Sequence, residues 1–64
     1  MPLVEVHLME GRTDAQKEAL LEAITVAVHE SIQAPLPTIR VWIDEFPSKH
    51  YMVAGELKSQ TTKQ

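Results

Sequence analysis

The sequence of 64 residues contains no cysteine, which excludes disulfides and thiolate metal sites. Its three histidines, His7, His29 and His50, are scattered without the spacing of metal ligands. A chain this short buries only a marginal core, and small domains without crosslinks commonly gain stability by self-association. The sequence therefore predicts one domain over residues 1–64, holding no metal and stabilised as an oligomer.

The sequence also lacks a strong charge of one sign and a long apolar run. Six basic residues stand against nine acidic ones, giving a net charge of −3. No basic stripe indicates a nucleic-acid partner, and no apolar run indicates a membrane span. The N-terminus has neither the cationic region nor the apolar core of a signal peptide. We expect a cytoplasmic protein that contacts neither nucleic acid nor membrane.

Two alternating segments flank one helical segment. Alternation over Leu3–Met9 and again over Thr38–Phe46 predicts two strands, and Pro35 and Pro37 separate the second strand from the helix. The helix is expected from about Asp14 to about Gln33. Thr13 and Gln16 fit a capping box at its start. Residues at helical spacing predict a buried line along the helix, formed by Leu20, Ile24, Ala27 and Ser31 and flanked by Ala23, Val28 and Ile32.

A strand, a helix of this length and a second strand predict a parallel βαβ crossover, which is an α/β fold. A short hairpin is expected near Ala54 and Gly55. The polar segment Lys58–Gln64 is expected to be a frayed tail. One face of a two-stranded sheet would remain uncovered by the single helix. The expected cover is a second copy of the chain.

The only arginines, Arg12 and Arg40, fall near opposite strand ends. A guanidinium matches a carboxylate through two parallel hydrogen bonds, so the pair suggests a site for an anionic substrate. Taken singly, each arginine is more consistent with a surface cation than with a clamp for a ligand. Pro2 can simply begin an edge strand. If Met1 is removed, however, Pro2 becomes a free secondary amine. Trp42 and Tyr51 fit either a pocket or an interface.

Four segments together resemble the 4-oxalocrotonate tautomerase family: "MP" at the start, "LMEGRTDAQKEAL", "APLPTIRVWIDE" and "KHYMVAGEL". The resemblance implies a hexamer of βαβ subunits and no cofactor. It also implies loss of Met1, so that the Pro2 amine becomes the general base. The implied substrate is an unsaturated dicarboxylate such as 2-hydroxymuconate.

By matched position, the resemblance implies that Arg12 binds the substrate carboxylate remote from Pro2 and acts as an electron sink. Arg40 would reach in from a neighbouring subunit and hold the carboxylate and oxygen at the other end of the substrate. Tyr51 replaces the family's pocket phenylalanine, and Met9 and Thr38 complete the expected substrate contacts. Trp42 is bulkier than the aliphatic residue expected there. Two alternatives remain open: a homologue recruited to a different isomerisation, and a non-catalytic assembly module.

Overall fold

The computed structural model describes residues 1–57, so the predicted frayed tail, Lys58–Gln64, lies outside the described residues. The chain forms strand β1, helix α1, strand β2 and a hairpin of β3 and β4. Their bounds are Leu3–Met9, Asp14–Ile32, Arg40–Phe46, Met52–Val53 and Glu56–Leu57. Short 3₁₀ turns lie at Leu36–Thr38 and Ser48–His50. This order confirms the predicted α/β unit with its C-terminal hairpin.

Strands β1 and β2 pair in parallel, with Leu3 opposite Arg40 and Met9 opposite Phe46. Backbone hydrogen bonds extend the pairing at both ends. The Arg40 amide donates to the Pro2 carbonyl at 3.0 Å, and the Glu10 amide donates to the Phe46 carbonyl at 2.9 Å. Pro2 therefore joins the sheet through its carbonyl alone, which is the one backbone group a proline can offer.

Helix α1 begins where the capping pair predicted. The Thr13 hydroxyl accepts from the Gln16 amide at 3.1 Å, and the Gln16 side chain accepts from the Thr13 amide at 2.9 Å. These two bonds satisfy donors that the first helical turn leaves unpaired. The helix ends at Ile32, and the residue that caps it, Gln33, has a φ of 58° in the left-handed region. Nδ1 of His29 donates to the Ala34 carbonyl at 2.7 Å and ties down the chain beyond the helix.

The predicted buried line of the helix is only partly right. Leu20, Ile24 and Val28 are half-buried. The remaining members of the line and its flanks are exposed; they are Ala23, Ala27, Ser31 and Ile32. The half-buried face also includes Leu21 and Thr25, which the prediction left out. The Thr25 hydroxyl donates to the Leu21 carbonyl at 2.8 Å, so a polar residue can lie half-buried on this face.

The second strand is shorter than the alternation predicted, because Thr38 belongs to the preceding 3₁₀ turn. Both the amide and the hydroxyl of Thr38 donate to the Pro35 carbonyl, at 3.0 and 2.7 Å. The hairpin is confirmed, with φ values of 54° at Ala54 and 82° at Gly55. Two central residues with positive φ match the twist of paired strands.

The core of one chain is thin. Among residues 1–57, Ile39 is the only hydrophobic residue classed as buried, at 9% exposure. Leu3 remains 62% exposed and Trp42 44% exposed on the sheet face opposite that of Ile39. Apolar residues of the hairpin, Met52, Val53 and Leu57, are also exposed. Within the described residues, no helix is long and apolar enough to cross a membrane.

Candidate functional site

Three of the predicted site residues lie together at the start of the sheet. Pro2 is half-buried and bonded through its carbonyl to the Arg40 amide, and Thr38 lies in the turn just before β2. The Arg40 side chain is exposed and donates to the Pro37 carbonyl at 2.7 Å. Met1, which precedes Pro2, is 75% exposed. While Met1 is attached, the Pro2 nitrogen is an amide and has no basicity.

The other three predicted residues lie at the opposite end of the sheet. Met9 is the last residue of β1 and stands opposite Phe46 in the register, and Arg12 follows three positions later, half-buried. The ring of Tyr51 stacks on that of Phe46, with centroids 5.3 Å apart and planes inclined by 26°. Tyr51 keeps 40% exposure, so part of its ring is open to a ligand.

The two groups are separated by the whole of β1. Seven strand residues, Leu3–Met9, stand between Pro2 and the loop that carries Arg12. At a rise of about 3.3 Å per residue this is roughly 23 Å. A small dicarboxylate cannot span that distance. A single chain therefore presents two half-sites, one with Pro2 and Arg40 and one with Arg12 and Tyr51.

Both guanidinium groups keep their charge available for an anion. In residues 1–57, neither Arg12 nor Arg40 forms an ion pair with a carboxylate. The lysine at the helix start behaves differently. Lys17 Nζ lies 3.1 Å from Glu45 and 3.6 Å from Asp14. The hydrogen bond to Glu45, reinforced by attraction to both carboxylates, raises the pKa of Lys17 although desolvation opposes it.

Two features were missed by the sequence interpretation. Phe46 was assigned only to a strand, yet it supports Tyr51, and only the register of β1 and β2 reveals its place beside Met9. The second feature is His7, which the sequence shows only as one of three histidines without the spacing of metal ligands. The structure places it between the carboxylates of Glu5 and Asp44.

An open groove of about 540 Å³ lies between α1 and β2. Its lining includes Leu21, Thr25, Ile39 and Val41, with Glu18 and Glu22 adding negative charge. None of the six predicted site residues lines it. An acidic groove does not suit a dianionic substrate, so the groove does not compete with the two half-sites for that role.

The described residues form a parallel βαβ unit with Pro2 directly before its first strand, and within residues 1–57 neither arginine has a carboxylate partner. Residues 2–61 match the model of the tautomerase family, described as tautomerase enzyme. The chain belongs to the tautomerase family.

A curated 2-hydroxymuconate tautomerase from Pseudomonas putida is 40% identical over 63 residues, covering 98% of this chain and all of the relative. Among solved structures, TomN is described as a 4-oxalocrotonate tautomerase homologue in the tomaymycin biosynthetic pathway. It superposes with a TM-score of 0.87 at 37% identity, covering 92% of this chain and 91% of TomN. A heterohexamer 4-oxalocrotonate tautomerase from Chloroflexus aurantiacus superposes at 0.88 and 31% identity, covering 97% of this chain and all of that chain.

Proposed function

We propose that the protein interconverts the enol and keto forms of an unsaturated dicarboxylic acid such as 2-hydroxymuconate. The Pro2 amine, freed by removal of Met1, is the general base. The observation that carries the proposal is the backbone hydrogen bond from the Arg40 amide to the Pro2 carbonyl, which holds the residue that becomes N-terminal once Met1 is removed against one of the chain's two arginine residues. The 2-hydroxymuconate tautomerase from Pseudomonas putida, similar along its full length, supports the same chemistry.

A general base must be largely deprotonated at the working pH and still hold a proton between steps. Two guanidinium groups and a poorly solvated pocket both disfavour an ammonium ion, so they would lower the pKa of the Pro2 amine. The neutral amine takes a proton from the hydroxyl or from carbon. The resulting ammonium returns the proton elsewhere on the conjugated system, so no metal or organic cofactor is needed for the transfer.

The arginines bind the two ends of the substrate and stabilise the charge of the dienolate. Each guanidinium can hold one carboxylate through two parallel hydrogen bonds, and the negative charge develops toward a cation already in place. Met9, Thr38 and Tyr51 line the remainder of the pocket. The Tyr51 hydroxyl, on a ring stacked against Phe46, can donate to a substrate oxygen.

Because about 23 Å of strand separates Pro2 from Arg12 within one chain, the complete site needs a second copy of the chain. Arg12 of one copy approaches Pro2 of another, and the family resemblance implies that the Arg40 side chain also reaches that Pro2 from a neighbouring copy. Within its own chain, the Arg40 side chain donates to the Pro37 carbonyl. The thin core and the exposed Leu3 and Trp42 supply an apolar surface for such contacts. We propose a homohexamer, as the family resemblance implies. The cytoplasmic location stays a prediction from the sequence.

The test of the base is replacement of Pro2. In Pro2→Ala, the base becomes a primary amine on a more freely rotating backbone, so turnover of 2-hydroxymuconate should fall by orders of magnitude. The oligomeric state, measured by light scattering, should be unchanged. Near-normal turnover in an intact oligomer would remove Pro2 from the mechanism.

A second candidate is an isomerisation of a different acid. The similarity to TomN, a homologue in a biosynthetic pathway, favours considering it. Comparison of 2-hydroxymuconate with a monoacid enol such as phenylenolpyruvate separates the two, because only a diacid uses both arginines. A higher kcat/KM for the monoacid would favour the second candidate.

A further inference from the structure

The open face of the sheet carries a cluster of three possible metal ligands apart from the predicted catalytic residues. His7 stands directly opposite Asp44 in the parallel register, and Glu5 lies two residues before His7 on the same strand. Residues two apart on a strand share a face, so all three side chains project from one side. One ligand atom from each of Glu5, His7 and Asp44 can be chosen so that all lie within 4.8 Å of one another.

The imidazole lies between the two carboxylates. Nε2 of His7 is 3.8 Å from Glu5 Oε2, and Nδ1 is 3.6 Å from Asp44 Oδ2. In residues 1–57, no lysine or arginine pairs with Glu5 or Asp44. The two carboxylates bring two negative charges to the cluster, and no lysine or arginine in this part of the chain balances them. An exogenous cation would relieve that repulsion.

We propose that Glu5, His7 and Asp44 bind a divalent transition-metal ion of the Zn²⁺ class. One imidazole nitrogen and two carboxylate oxygens are ligands that zinc accepts, and a hard ion such as Mg²⁺ would not use the imidazole as readily. Ligands around tetrahedral zinc stand roughly 3.3 Å apart at bond lengths of about 2.0 Å. In a single chain the side chains are 39–63% exposed, so small rotations before a second copy packs on this face can shorten the present separations.

The site is structural in this proposal and goes beyond the tautomerase chemistry. Its backbone is fixed, because Glu5 and His7 lie within β1 and Asp44 lies within β2. A bound ion would crosslink the two strands on the face that α1 leaves uncovered. Three protein ligands leave a fourth position for water or for a group from a second copy.

The test is titration of the untagged, metal-stripped full-length protein with Zn²⁺, followed by calorimetry. The variants are His7→Gln, Glu5→Gln and Asp44→Asn. The matched control is His50→Gln, because His50 is an exposed histidine in the turn before the hairpin. Wild type and the control should bind alike. Each cluster variant should bind at least about tenfold more weakly, the loss that removal of even an outer partner of a metal ligand causes.

Thermal unfolding with and without Zn²⁺ provides a second readout that works for any variant that folds. An ion that binds only the folded state raises Tm by mass action, so Zn²⁺ should raise Tm of wild type and His50→Gln but not of His7→Gln. The proposal is overturned if wild-type affinity is no tighter than millimolar. It is also overturned if the cluster variants bind as wild type does, which would leave His7 as a bridge between two carboxylates.

Discussion

The Arg40 amide donates a hydrogen bond to the Pro2 carbonyl at 3.0 Å. Pro2 directly precedes Leu3, the first residue of β1, which is paired with Arg40 in the parallel sheet. This bond pairs the backbone of the proposed base with that of one of the two arginines, while the Arg40 side chain donates to the Pro37 carbonyl. Arg12 follows the far end of β1. Under the proposed function, Pro2 of one chain therefore works with Arg12 of another.

Mixed oligomers test whether the site is shared. Pro2→Ala and Arg12→Ala chains should each be nearly inactive alone, whereas oligomers formed from both should regain activity when denatured and refolded together. With equal amounts, about one site in four should hold both intact residues, because each is supplied by a different subunit of a symmetric assembly. Turnover of 2-hydroxymuconate before and after mixing is the measurement. No recovery in a verified mixed oligomer would place both residues in one chain's site.

The loss of activity on replacing either arginine should depend on the substrate, whereas replacing a surface cation should have little effect on any substrate. Arg12→Ala and Arg40→Ala should each lower kcat/KM for the diacid roughly 10- to 100-fold, the effect of losing a hydrogen bond to a charged group. With phenylenolpyruvate, which has one carboxylate, only one of the two substitutions should have that effect. Lys49→Ala, which removes an exposed cation, is the control. Equal losses on both substrates for both arginines would contradict separate carboxylate contacts.

The capping box should contribute measurably to stability. Thr13→Ala removes the hydroxyl that accepts from the Gln16 amide, so the free energy of unfolding should fall by about 1 kcal/mol. Thr13→Ser retains the hydroxyl and should change it little. Urea unfolding at one fixed protein concentration checks this, because association links stability to concentration. Equal stability of the alanine and serine variants would mean that the cap has no net effect.

The ion pair at the helix start should stabilise the fold only while Lys17 is charged. The Glu45 hydrogen bond raises the pKa of Lys17 above its ordinary 10.5. A raised pKa means that the stabilisation is fully present below 10.5 and is lost as pH rises through the higher folded value. Tm of Lys17→Gln should therefore lie below that of wild type at pH near 7, and the gap should narrow in strongly alkaline buffer. If wild type and Lys17→Gln have the same Tm near pH 7, the ion pair of Lys17 does not stabilise the fold. The same conclusion follows if Lys49→Gln lowers Tm equally.

The chain order of elements followed from local signals in the sequence. Alternation identified β1, the Thr13 and Gln16 pair placed the helix start, and the Ala54 and Gly55 turn marked the hairpin. The helix face was harder to predict because alanine carries little burial preference. Thr25, whose hydroxyl bonds within its own helix, gave no apolar signal.

Contacts that depend on the register between the strands could not be predicted from the sequence alone. Nothing in the spacing of His7 and Asp44 along the chain indicates that they are opposite one another. The same holds for Met9 and Phe46, and so for the stacking of Tyr51 beside them. The roles of Pro2, Arg12 and Arg40 came from family resemblance. The structure adds that one chain holds them in two separate groups.

A comparison of chains with and without Met1 decides whether the Pro2 nitrogen is the base. The measurement is turnover of 2-hydroxymuconate by two preparations whose N-termini are verified by intact mass. Protein isolated from its native host should begin at Pro2 and be active. Chain that retains Met1 should form the same oligomer and be inactive, because its Pro2 nitrogen is an amide. Equal turnover by both forms would show that the Pro2 amine is not the base.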